Sequence, residues 1–152
     1  MLKRVFIVLS LLFISGCSLW PLSGERVPFY QVETPKPYDD VLIDLDVAIA
    51  EHNFRITAHS RVGKVIRERG AENFPEFDTI QFCNLTLAKT MLEISPPAIG
   101  FMPCNIVTYQ LDGKTIIKTH LLPEDNDNQA LNEFAQQMNP QLRQIVDFAA
   151  KP

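Results

Sequence analysis

The chain has 152 residues, 46% of them hydrophobic and 21% charged, with 14 basic against 18 acidic side chains and a net charge of −4. That is one domain's worth of chain, with enough apolar residues to bury a core. The acidic balance argues against non-specific nucleic-acid binding, which depends on neutralising phosphates, so no nucleic-acid partner is expected.

Met1-Leu2-Lys3-Arg4 is a short basic start, and Val5 to Phe13 is an apolar run broken only by Ser10. With the small residues before Cys17, these are the three parts of an export signal. A membrane-spanning helix rises ~1.5 Å per residue and needs about 20 apolar residues, so the run is too short to serve as an anchor. Ile14-Ser15-Gly16-Cys17 resembles the lipobox of bacterial lipoproteins. The resemblance implies lipid transfer to the Cys17 thiol, cleavage after Gly16 and acylation of the new amino terminus. Attachment to a membrane would then run through acyl chains, each stabilised by roughly 0.8 kcal/mol per buried methylene. Ser18, not Asp, follows the cysteine, which by the same resemblance favours the outer membrane, facing the periplasm. Loss of Lys3 and Arg4 with the signal removes two positive charges and leaves the mature chain at −6.

Residues 18–37 carry Pro21, Pro28, Pro35 and Pro37 with little periodicity and read as an extended tether, with Val27 to Tyr30 equally readable as an arm packed on the domain. The expected division is therefore a signal peptide over 1–16, a lipidated cysteine and tether over 17–37, and a folded domain over 38–152.

From Tyr38 the apolar spacing is helical, with Val41, Leu42, Leu45, Ala48 and Ile49 following it and Asn53 as a stop. Phe54 to Ser60 alternates, with Phe54, Ile56 and Ala58 on one side and Arg55, Thr57 and His59 on the other, as in a half-buried strand. Ser60 is placed to cap a short helix ending at Gly70. Asp78 to Cys83 reads as a buried strand, Asn84 as the cap of a helix through Ile94, and Pro96-Pro97 as its end. Asn105 to Leu111 and Lys114 to His120 flank Asp112-Gly113, the residues a tight hairpin turn demands. A last amphipathic helix begins near Asn128, and Asn139-Pro140 is expected to break or kink it. This order describes an α+β domain with helices on one face of a small, largely antiparallel sheet.

The stretch from His52 to Glu124 resembles the domain-of-unknown-function family 302. The residues that carry the likeness are Asn53-Phe54, His59-Ser60, Arg67-Glu68-Arg69-Gly70, Phe74-Pro75, Ile80-Gln81-Phe82-Cys83-Asn84 with Ala88, and Pro103-Cys104 leading into the Asp-Gly hairpin. The resemblance implies a fold related to the TATA-binding-protein-like class. It brings neither that class's DNA binding nor any settled catalytic residue, because fold does not imply function.

If Cys17 is lipidated, Cys83 and Cys104 form an even pair at the ends of two expected strands. A structural disulfide is the leading expectation in an oxidising compartment; a redox or sulfur-carrying pair and two unbonded thiols are the alternatives. His59 and His120 with these thiols make a formal two-thiolate, two-imidazole set, but the spacings match no metal motif and no metal is expected. Arg55, Arg61, Lys64, Arg67 and Arg69 form a basic cluster, which is either an anion-binding face or a solvated surface balanced by acids. The loop Pro96 to Pro103, with Ile99, Phe101 and Met102, is a candidate wall of a ligand pocket.

The candidate ligand-binding residues are thus His59, Arg61, Asn84, Phe101, Met102 and His120, with Cys83 and Cys104 as a disulfide or thiol site. No nucleophile and base pair is evident. The expectation is a membrane-anchored, non-catalytic module of the cell envelope that binds a small ligand or a partner protein, with no cofactor besides the covalent lipid. Thiol-dependent chemistry at Cys83 and Cys104, or a purely structural envelope role, are the alternatives.

Overall fold

The computed structural model describes residues 28–152. The expected signal peptide, Cys17 and most of the expected tether lie outside the described residues.

The elements are β1 (Phe29–Thr34), α1 (Tyr38–Glu51), β2 (Arg55–Arg61), α2 (Val62–Glu68), β3 (Phe77–Cys83), α3 (Leu85–Ile94), a 3-10 helix (Pro96–Phe101), β4 (Cys104–Leu111), β5 (Lys114–His120) and α4 (Gln129–Ala150). The strands make one open, fully antiparallel sheet in the order β1-β5-β4-β3-β2. The fold class is the α+β arrangement expected from the sequence.

Alternation along the strands decides which side chains meet the helices. Ile80, Ile106 and Thr119 oppose one another across β3, β4 and β5, and one register step away so do Asp78, Thr108 and Ile117. Ile80, Phe82, Ile106 and Ile117 share one core with Val41, Leu45, Ala48 and Ile49 of α1 and with Leu142, Ile145, Val146 and Ala149 of α4. Helices α1 and α4 therefore cover the same face of the sheet. Each fully buried Leu, Ile or Phe contributes about 1.5–3 kcal/mol, and Leu45, Ile80, Phe82, Ile106 and Ile145 are all at 0% exposure.

Local chemistry explains most element ends. Asn84 Oδ1 accepts from the amides of Thr86 and Leu87, and Asn128 Oδ1 accepts from that of Leu131, so both expected caps are present. Asp112 (φ 50°) and Gly113 (φ 75°) both take the positive φ that a two-residue hairpin turn requires. Gly63 is fixed by space: a Cβ there would lie 2.4 Å from the Pro75 carbonyl oxygen and 2.7 Å from the Phe77 amide nitrogen. Only glycine lets α2 lie so close to the strand that follows it.

Four features differ from the sequence reading. Phe29–Thr34, read as tether, is the edge strand β1, with Tyr30, Val32 and Thr34 opposing Thr119, Ile117 and Thr115. Its flanking prolines, Pro28 and Pro35, are compatible with an edge strand, where missing donors cost little. Second, β2 contains a register shift between Ile56, opposite Phe82, and Ala58, opposite Gln81, which leaves Thr57 as an extra residue. A bulge of this kind reverses the faces beyond it. His59 therefore opposes Ile80 on the helix-covered side, not on the outer face expected from simple alternation. Third, α2 starts from Arg61 with no side-chain cap, and Ser60 belongs to β2. Fourth, of the break or kink expected at Asn139-Pro140, the break does not occur: Pro140 lies inside α4, which runs from Gln129 to Ala150.

Candidate functional site

β3 and β4 end together. Phe82 opposes Cys104 in the register, and Cys83 is the next residue of β3. The two cysteines thereby reach one pocket, a small cavity of about 30 Å³ that is partly open to solvent. α3 lends it Leu87, Ala88 and Met91; the 3-10 helix and the residue after it lend Phe101 and Met102; α4 lends Phe134 and Met138. Phe54 and Leu122 close the wall, Phe54 standing edge-on to Phe82 with ring centroids 5.3 Å apart.

Among the described residues, and apart from the thiols, Asn84 is the one polar side chain at this cavity, and its groups are already engaged. Its Oδ1 caps α3, and its Nδ2 donates to the Asn53 carbonyl at 2.9 Å. Asn84 thus holds the rim in place. Both cysteines are free thiols of intermediate burial, so the expected disulfide is absent from this structure. Burial pushes the Cys104 thiol up to about 11, and the neighbouring Cys83 adds to the effect. At neutral pH Cys104 is a protonated, poorly nucleophilic thiol.

The candidate residues of the sequence divide among three places. Cys83, Cys104, Asn84, Phe101 and Met102 converge on the apolar pocket. Ile99 of the same loop is 58% exposed and does not line it. His59 and Arg61 lie toward the other end of β3, opposite Ile80 and Asp78. At roughly 3.3 Å per strand residue, Asp78 is on the order of 17 Å from Cys83. His120 is on the opposite face from the core, with its Nδ1 3.1 Å from Asn105 Oδ1. The two imidazoles therefore do not join the two thiols.

The polar end has its own order. Asp78 is 4% exposed, and its Oδ2 lies 2.6 Å from His59 Nε2. The Tyr38 hydroxyl is 2.8 Å from Thr108 Oγ1 and within bonding distance of the Thr108 carbonyl. Burial raises the Tyr38 hydroxyl far above its usual range; the Thr108 bond opposes this, and the charge of Asp78 reinforces it. Arg61 borders a shallow cleft beside these groups, with Lys64, Arg67, Asp39 and Glu76. Arg67 pairs with Glu76 at 2.6 Å and donates to the Phe74 carbonyl, and Lys64 lies 3.9 Å from Glu68. Two of the three basic residues at the cleft, Lys64 and Arg67, thus have acidic partners.

Sequence reasoning missed Met91 and Met138 as pocket residues. Both sit at ordinary inward positions of amphipathic helices and are 4% exposed, and nothing in their local pattern separates them from core residues.

Comparison with known proteins agrees with this fold. No curated protein matches the chain. A solved structure described as an uncharacterized conserved protein DUF302 from Bacillus stearothermophilus is similar with a TM-score of 0.70. The likeness covers 83% of this chain and 100% of that one at 21% identity, which bears on the fold alone. The family described as domain of unknown function DUF302 matches residues 30–149, from β1 through nearly all of α4. The chain belongs to the DUF302 family.

Proposed function

We propose that this protein is a lipid-anchored, non-catalytic binding module of the cell envelope, attached through Cys17 to the outer membrane and facing the periplasm. Its ligand, a small apolar molecule or soft ion, enters the pocket between β3, β4, α3 and α4. The observation that carries the reading is the pocket itself: apolar walls, an open mouth, and few polar groups left to be satisfied. Sites for small ligands have this composition. The elevated Cys104 thiol argues for binding over nucleophilic chemistry. The sequence of residues 1–17 supports the anchor, and among the described residues no helix is long and apolar enough to cross a membrane.

Two measurements test the proposal. Labelling of cells with a palmitate analogue should mark the wild-type protein and not Cys17→Ser; equal labelling of both would reject the anchor. Thermal unfolding of the purified full chain should rise with added indole, and Ala88→Phe, which fills the cavity, should remove the response. An indole response unchanged by Ala88→Phe, or no response at all, would count against the pocket.

A second reading rests on the placement of Cys83 and Cys104 at one cavity. Oxidation of the pair would form one disulfide with loss of two protons and two electrons to a thiol-disulfide oxidant. A thiol count by alkylation and intact mass on Cys17→Ser distinguishes the states. Two thiols blocked until denaturing reduction would establish a buried bond; two that label readily in the native protein would exclude it.

A further inference from the structure

The sulfur atoms of this domain are gathered at one end of its core. Outside Met1 and Cys17 the chain contains two cysteines and three methionines, and all five, Cys83, Met91, Met102, Cys104 and Met138, line the same pocket. They arrive from five separate places: the end of β3, α3, the segment after the 3-10 helix, the start of β4, and α4. The rest of the core, between α1, the C-terminal half of α4 and the middle of the sheet, is built from Val, Leu, Ile, Ala and aromatic residues. Leu or Ile would fill similar volume with better-defined rotamers, whereas methionine and cysteine also bring soft sulfur donors.

We infer that the pocket is a binding site for a single monovalent copper ion, held by the thiol sulfurs of Cys83 and Cys104 and by thioethers of Met91, Met102 and Met138. The inference rests on the reading of this pocket as the ligand site and gives that ligand a chemical class. Thiolates and thioethers are soft donors that select Cu(I) over hard cations. Among the described residues no carboxylate or imidazole lines the cavity, and no group of three or more His, Cys, Asp or Glu could hold a metal ion. That donor set offers calcium and magnesium no carboxylate, and it offers zinc only two of the four ligands of an ordinary site.

Charge favours the same ion. Isolated charge is costly in an apolar cavity, and Cu(I) offsets one of the two thiolate charges while the thioethers add none. Each thiol that binds releases its proton to solvent as the copper–sulfur bond forms. The copper enters and leaves as Cu(I), so no electron is transferred. Methionine's three rotatable bonds allow the thioethers to close on an ion without backbone movement. Phe54, Phe101 and Phe134 screen the site from water, which controls access to the metal.

The test uses the full chain with Cys17→Ser, so that Cys83 and Cys104 are its only thiols. The reduced protein is held in detergent without oxygen and titrated with Cu(I) against a coloured Cu(I) chelator. One copper per chain should be withheld from the chelator, with thiolate-to-copper charge-transfer absorption in the ultraviolet. Adding Met91→Leu, Met102→Leu and Met138→Leu together conserves volume and should weaken binding at least roughly tenfold, while thermal unfolding stays cooperative. Cys83→Ser with Cys104→Ser should abolish the absorption. Complete loss of copper to the chelator, or unchanged affinity in the methionine variant, would overturn the inference. An indole response without copper retention would leave the pocket reading standing and remove this one. Absence of both would remove both.

Discussion

Asn139 offers the sharpest test of how the pocket is held. It lies one residue after Met138 on α4 and is 3% exposed. Its Oδ1 accepts from the Leu122 amide at 2.9 Å, and its Nδ2 donates to the Leu122 carbonyl at 3.0 Å and to Glu124 Oε1 at 2.6 Å. Leu122 is itself 4% exposed and forms part of the pocket wall. One amide side chain thus does for Leu122 what a neighbouring strand would do, satisfying both backbone groups where the chain has left the sheet. Asn139→Leu keeps the approximate volume and removes both partners. Each buried backbone group left unpaired costs about 1–3 kcal/mol, so two cost about 2–6 kcal/mol, partly offset by the added apolar burial. The expected net loss is about 3 kcal/mol, a fall in Tm on the order of 10 °C for a domain of this size. Urea unfolding followed by circular dichroism should show a lower midpoint with unchanged slope. Glu124→Gln, at an exposed position, should lose under about 1 kcal/mol. A loss below about 1 kcal/mol for Asn139→Leu would refute the reasoning, because it would mean that Leu122 finds other partners at no cost.

Gly63→Ala should destabilise by about 1–3 kcal/mol or more, since the new Cβ meets backbone atoms of Pro75 and Phe77 that cannot swing aside; thermal unfolding reads it, and an unchanged Tm would reject the close approach. Asn84→Ala removes the α3 cap and the bond to Asn53, with an expected loss of about 1–2 kcal/mol in urea. A neutral result there would mean that the first turn of α3 is satisfied without it. Cys104 makes a pH prediction. Its thiol lies at about 11 in the fold against an ordinary 9.0, so the folded state holds the proton more tightly than the unfolded chain. That contribution is intact below pH 9 and is lost as pH rises toward 11. The stability difference between wild type and Cys104→Ala should therefore shrink over that window, and a constant difference would show that the thiol is not desolvated.

The order of elements was legible because each had its own chemical sign: Asn84 and Asn128 as caps, Asp112-Gly113 as a turn, and the helical spacing from Val41 to Ile49. What was not legible depended on one-residue events or on long-range convergence. The extra residue at Thr57 carries no composition signal, yet it moves His59 from one face of the sheet to the other and onto Asp78. β1 was hidden by the prolines around it, although Tyr30, Val32 and Thr34 do alternate. Pro140 argued for a break that the rest of α4 overrides, with nine buried residues holding the helix in register. Cys83 and Cys104 could be placed at strand ends from sequence. The meeting of Met91 and Met138 with them is a product of how α3 and α4 pack, and no local pattern encodes it.

The position of β1 also sets a timetable for folding. Phe29–Thr34 is the earliest described strand to be synthesised, but its ladder partner is Lys114–His120. Thr34 then bonds to the Ala150 carbonyl, 116 residues further on. At ribosomal speeds of ~5–20 residues per second, the strand waits roughly 5–20 seconds for the chain that completes it. Until then β1 has no ladder partner and the sheet lacks its border. The domain can be finished only when nearly its whole length has been delivered.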